Sequence, residues 1–131
     1  MADTVDTKVL YNGKRRYIVQ LTNISDGTGE SGVTKVDIST ITTPGFTPTY
    51  STIDMIDYSI QGFTSVRLHW DHTTDDEIAV LPAGSGTLYY QSVGGNVDPR
   101  TAGDTGDVKL TTAGSASGNT YNIVLYMRMK S

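Results

Sequence analysis

Cysteine is absent from this chain of 131 residues, so it has no disulfide framework, no thiolate nucleophile and no Cys-ligated zinc. That absence agrees with assembly in a reducing cytoplasm. Histidine is scarce as well: His69 and His72 are the only two, which leaves little for general acid–base work. There is one tryptophan and there are four prolines, and no apolar run approaches the roughly 18 residues needed to span a bilayer. Positive charge is thin, with 10 Lys and Arg against 14 Asp and Glu and a net charge of −4. A DNA-binding module would carry a basic stripe. The single basic cluster here, Lys14-Arg15-Arg16, reads as a solvated strand entry. Neither a membrane nor direct contact with nucleic acid is expected. The N-terminus, Met1 to Lys8, is acidic and polar and lacks the pattern of a secretory signal.

What the chain has is threonine and glycine, 20 and 14 respectively. Thr suits strands and Gly punctuates turns. The most informative stretch is 64–82. Val66, Leu68 and Trp70 alternate with Arg67, His69 and Asp71, the period of two expected of a half-buried strand. A polar turn over 71–77 follows, and then the apolar run Ile78 to Leu81, stopped by Pro82. This predicts two neighbouring strands around a loop, with Trp70 as the largest single apolar contribution to the core.

Elsewhere, 1–8 reads as a flexible N-terminal arm, and Asn12-Gly13 as a turn after Val9-Leu10-Tyr11. Residues 15–24 form a strand with Tyr17, Val19 and Leu21 on one face. A glycine-rich loop spans 26–32, and a strand 33–38. Two prolines and a glycine make 42–48 an extended surface loop. Residues 53–60 alternate as a strand, although Ile53-Asp54-Met55-Ile56 also suits one helical turn, and Gly62 separates them from the stretch above. Further strands fall at 87–92 and 107–112, with a long loop between them over 93–106. The last strand, 119–130, sets Tyr121, Ile123, Leu125, Met127 and Met129 on one face. Short strands at this spacing predict a single all-β domain over 9–131, a sandwich or a barrel; of these an antiparallel β-sandwich, jelly-roll-like, fits the strand count, although strand order is not given by the sequence.

Two strands carry bulk on both faces: Val124 and Tyr126 behind the last stripe, Ile18 and Ile24 behind the early one. A sandwich usually gives one face of each sheet to water. The second apolar face is either scattered surface hydrophobes, covered by loops where covered at all, or a subunit interface. Each large side chain fully covered contributes roughly 1.5–3 kcal/mol.

The chemical motifs fail on context. Gly27-Thr28-Gly29-Glu30-Ser31-Gly32 matches G-x-G-x-x-G but leads into the β-branched run from Val33 rather than a helix, so a hairpin loop fits better than a phosphate cradle. His69, Asp71, His72, Asp75, Asp76 and Glu77 lack metal-ligand spacing and read as a solvated turn. Asp98, Asp104 and Asp107 allow a weak surface Ca²⁺ site at most. No Ser occupies a strand-to-helix elbow. No catalytic, cofactor-binding or metal-binding residue is assigned, and no enzyme is expected.

Three stretches, 9–31 (VLYNGKRRYIVQLTNISDGTGES), 65–82 (SVRLHWDHTTDDEIAVLP) and 92–130 (SVGGNVDPRTAGDTGDVKL through SGNTYNIVLYMRMK), resemble small structural proteins of tailed-bacteriophage virions, of the capsid decoration or cement type. The resemblance implies a β-sandwich or jelly roll without cofactor, forming dimers or trimers. Its partner would be the phage major capsid protein, bridged on the capsid exterior after assembly in the host cytoplasm. Independently of the resemblance, exposure and flexibility nominate as protein contacts Asp3, Thr4, Val5, Asp6, Thr7 and Lys8 of the arm, Pro44, Phe46 and Pro48 of the loop, and Ile18, Val124 and Tyr126 of the outer faces. The competing reading is a tail, neck or fibre module, either structural or binding a receptor or glycan through Tyr89, Tyr90 and Phe46.

Overall fold

The computed structural model describes residues 4–13, 16–38, 50–71, 76–97, 107–114 and 116–130. Among these it places eight strands and no α-helix. They are β1 (Thr4–Gly13), β2 (Arg16–Asp26), β3 (Val33–Val36), β4 (Tyr50–Trp70), β5 (Asp76–Tyr89), β6 (Asn96–Val97), β7 (Val108–Ala113) and β8 (Ser117–Lys130). One 3-10 turn, Gln91–Val93, follows β5. The strands make one sheet in the order β1-β2-β8-β4-β7-β3, with β5 and β6 also paired to β4. Every pairing is antiparallel. The sheet is nearly closed into a barrel around a single core, as the strand-rich pattern predicts for an all-β domain.

The 21 residues of β4 organise this sheet. Along Tyr50 to Gln61 its neighbour is β8; from Ser65 to Trp70 that same edge pairs with β7. Its other edge pairs with β5 along both halves. The exchange of partners falls at 62–64, where Gly62 has φ +93° and a Cβ would stand 2.1 Å from Asn119 Oδ1. Glycine is required there by conformation and by space together.

The alternation read from the sequence is the alternation of burial. Val66, Leu68 and Trp70 of β4, Tyr17, Val19 and Leu21 of β2, and the alternate residues Tyr121, Ile123, Leu125, Met127 and Met129 of β8 are buried. Residues 53–60 are strand rather than a helical turn, and β4 continues unbroken through Gly62. Pro82 does not stop β5, which runs through it to Tyr89. Among the described residues β5 pairs only with β4, and a proline is tolerated on such an edge because no ladder partner is deprived of a donor.

From Thr4 onward the predicted flexible arm is instead the first half of β1, paired with β2 from Thr4↔Ile24 to Gly13↔Arg16. The β-branched Thr4, Val5, Thr7 and Val9 suit an extended backbone, and β2 offers an edge long enough to pair all of it. In the predicted 93–106 loop, Asn96 and Val97 pair with Ile53 and Thr52. The 42–48 loop lies outside the described residues.

Candidate protein-contact face

Directly opposed residues of an antiparallel pair project from the same face, so the registers can be followed across the sheet. Tyr11 of β1 opposes Ile18 of β2. Ile18 opposes Tyr126 of β8. Tyr126 opposes Met55 of β4, and Met55 opposes Tyr89 of β5. Five large side chains thus form one row across five strands, on the face turned away from the core. With strands about 4.8 Å apart the row is about 19 Å long. Tyr11 and Tyr89 are 53% and 70% exposed at its ends; Ile18, Tyr126 and Met55 are half-buried between them.

Two irregularities in the ladders bring the row into line. The β1–β2 register shifts between Val9 and Tyr11. The extra residue, Leu10, turns Tyr11 away from the side on which Val9 lies, as a bulge does. A second shift, between Ile53 and Met55 in the β4–β8 ladder, lets Ile53 and Ile56 both enter the core while Met55 faces outward.

Charge and polarity border the row on both sides. On one side Arg16 opposes Arg128, whose Nε donates to Asp54 Oδ1 at 2.9 Å and whose Nη2 donates to the Gly94 carbonyl at 2.9 Å. Arg16, Asp54, Met55, Gln91, Tyr126 and Arg128 line a groove of about 360 Å³. On the other side Val124 sits between Gln20 and Asp57. The Thr87 hydroxyl donates to Asp57 Oδ1 at 3.2 Å. Here a polar groove of about 400 Å³ includes Ser59, Ser85 and Asn122.

Of the nominated contacts, Ile18, Val124 and Tyr126 share this face, and Ile18 and Tyr126 touch the same row. Thr4, Val5, Asp6, Thr7 and Lys8 lie on β1 at the sheet's edge, with Lys8 opposite Gln20 and Asp6 opposite Thr22. Asp3, Pro44, Phe46 and Pro48 lie outside the described residues. Tyr11 and Met55 are not among the nominated contacts, and Tyr89 is named only for the receptor or glycan alternative. Tyr89 is legible by parity, since it falls out of step with the partly buried Leu88.

The members of the polar clusters whose side chains are described, His69, Asp71, Glu77 and Asp107, are paired locally. Glu77 Oε1 accepts from Arg67 Nε at 2.9 Å, and Glu77 Oε2 lies 3.0 Å from His69 Nδ1. The carboxylate raises the pKa of the Arg67 guanidinium by hydrogen bond and by charge. Asp71 Oδ1 lies 3.5 Å from Lys109 Nζ, and Asp107 Oδ1 accepts the Ile38 N–H at 2.9 Å. His72, Asp75, Asp98 and Asp104 lie outside the described residues. Among the described residues no group of three or more His, Asp or Glu side chains could hold a metal ion. The glycine-rich 27–32 segment leads into β3, with no helix to receive a phosphate.

No family model matches this sequence, and no curated protein does. Among solved structures, the chain is similar to HppE with cobalt(II) and Tris buffer at 10% identity, covering 93% of this chain and 52% of that one with a TM-score of 0.42. Iron(II) HppE with substrate gives 12% identity, 92% and 53% coverage, and a TM-score of 0.41. The hydroxypropylphosphonic acid epoxidase from S. wedmorenis gives 13%, 85% and 42%, and 0.32. The chain thus spans about half the length of these proteins. Likeness at this level carries no argument about function.

Proposed function

We propose that this chain is a structural virion protein that decorates and cements a phage capsid, bridging subunits of the major capsid protein on the shell exterior. The observation that supports this reading is the row Tyr11–Ile18–Tyr126–Met55–Tyr89, large side chains aligned on an outer sheet face and flanked by Arg16. Protein-contact hot spots are enriched in Tyr and Arg and cluster at the centre of an interface. The jelly-roll form and an oligomeric state of two or three belong to the same reading.

The mechanism is linkage. A domain that binds the assembled shell and not its free subunits stabilises the shell by RT ln(1 + [L]/Kd) at each site. Contacting several subunits at once raises avidity by roughly 10²–10⁴ over one contact. Modest contacts then resist internal DNA pressure with no chemistry of their own.

A second reading is favoured by one observation: the polar groove of Asp57, Ser59, Ser85, Thr87 and Asn122 lies on the same face as the exposed Tyr89. Hydroxyls and a carboxylate near an aromatic ring suit a glycan, as a tail or fibre module would require. Copy number separates the two. Hundreds of copies per purified virion fit decoration, whereas about three to eighteen fit a tail, neck or fibre and would overturn it.

A further inference from the structure

Strand β1 lies beyond the core. Its residues 4–11 are exposed on both faces. Val5 and Val9 oppose Asn23 and Val19, which are 1% and 0% exposed. They therefore lie on the core-facing side of the sheet, yet remain 45% and 48% exposed because no described layer covers them. Among the described residues β1 pairs only with β2, so its other edge offers a row of backbone donors and acceptors. Such an edge is a template for another strand.

We propose that this edge pairs with β1 of a second copy, antiparallel, about a two-fold axis normal to the sheet at Thr7. Such an axis keeps each side chain on its own face, so it must pass between two copies of the same residue. At Thr7 it sets Asp6 against Lys8 of the second copy and Lys8 against its Asp6, on the outer face. It sets Val5 against Val9 and Val9 against Val5 on the other, and Thr4 against Leu10. Within this ladder each charge meets its opposite and each exposed valine of β1 meets a valine, each twice by symmetry. Moving the axis one residue either way opposes Asp6 to Asp6 or Lys8 to Lys8, and like charges directly opposite are destabilising. The ladder ends naturally at the Leu10 irregularity. The result is a continuous sheet of two copies whose outer faces, each with its Tyr11–Tyr89 row, look the same way. The pairing stands on β1 alone and does not require the shell reading.

The test is the mass of the full-length chain by sedimentation equilibrium. The unaltered protein is expected to be a dimer. Asp6→Lys alone and Lys8→Asp alone each oppose like charges twice, and should weaken association about tenfold or more. The combined swap restores the opposite-charge pairs and should recover the dimer. Since the chain has no cysteine, Thr7→Cys introduces a single thiol on the axis, and oxidation should give a disulfide-linked dimer even if a swap variant folds poorly. Thr22→Cys, on the neighbouring strand, should not. A monomeric parent protein, single swaps that keep the dimer, or no cross-link through position 7 would each overturn the pairing. A monomer whose residues 4–10 gain hydrogen-exchange protection only on shells would assign the edge to a capsid strand instead, and would also overturn it.

Discussion

The Lys35 ammonium and the Glu30 carboxylate form an ion pair with both side chains more than nine-tenths buried. Glu30 Oε1 also accepts from the Tyr121 hydroxyl at 2.6 Å and from Asn23 Nδ2 at 2.8 Å. The main chain at Glu30 is tied to β7, donating to Thr112 Oγ1 at 2.9 Å and accepting from the Thr112 N–H at 2.9 Å. The glycine-rich segment is thereby fixed across β2, β3, β7 and β8. Removing one partner of a buried pair costs about 3–5 kcal/mol, because the other charge stays behind uncompensated. Lys35→Met should lower stability by that amount. Combining it with Glu30→Gln should recover part of the loss, as a urea-denaturation double-mutant cycle will show.

Gly62 should not tolerate a side chain. Alanine at φ +93° is strained, and its Cβ would press on the Asn119 amide, whose Nδ2 donates to the Gly114 carbonyl at 3.0 Å. Gly62→Ala is expected to cost more than about 1 kcal/mol. Gly84, also at positive φ but with open space around it, should lose less on the same change. Thermal denaturation of the two variants side by side makes the comparison.

Burial raises the pKa of the Tyr17 phenol above its ordinary 10.0. The folded protein therefore holds this proton more tightly than the unfolded chain does. The stability linked to it is intact below pH 10 and is lost as pH rises from there through the folded pKa. Tyr17→Phe should flatten that alkaline decline and leave the neutral-pH dependence unchanged. Denaturation midpoints measured across the alkaline range will show the difference.

The sheet was legible in the sequence wherever one face is buried, because period-two burial leaves its mark in residue type. The stripes of β8, β2 and the second half of β4 are the clearest examples. The row on the outer face was only half legible. Ile18 and Tyr126 announce themselves as bulk on the wrong parity, but Tyr11 and Met55 reach their places through register shifts at Leu10 and Asp54, which no local pattern encodes. Strand order is likewise a matter of pairing: β2 lies beside β8 and β3 beside β7 although each pair is far apart in sequence. Residues 4–8 read as an arm because they lack a buried stripe. They lack it because β1 overhangs the core, a fact of the assembled sheet rather than of the segment.

Whether the outer row carries the proposed binding to a shell is read from occupancy on expanded capsids assembled without this protein. Purified chain is expected to saturate such capsids at hundreds of copies. Tyr126→Ala, at the centre of the row, should keep the parent's circular dichroism and lose binding more than tenfold, as central aromatic contacts do, and Tyr89→Ala at its end should lose less. Folded variants that occupy the shell as fully as the parent would contradict the proposal.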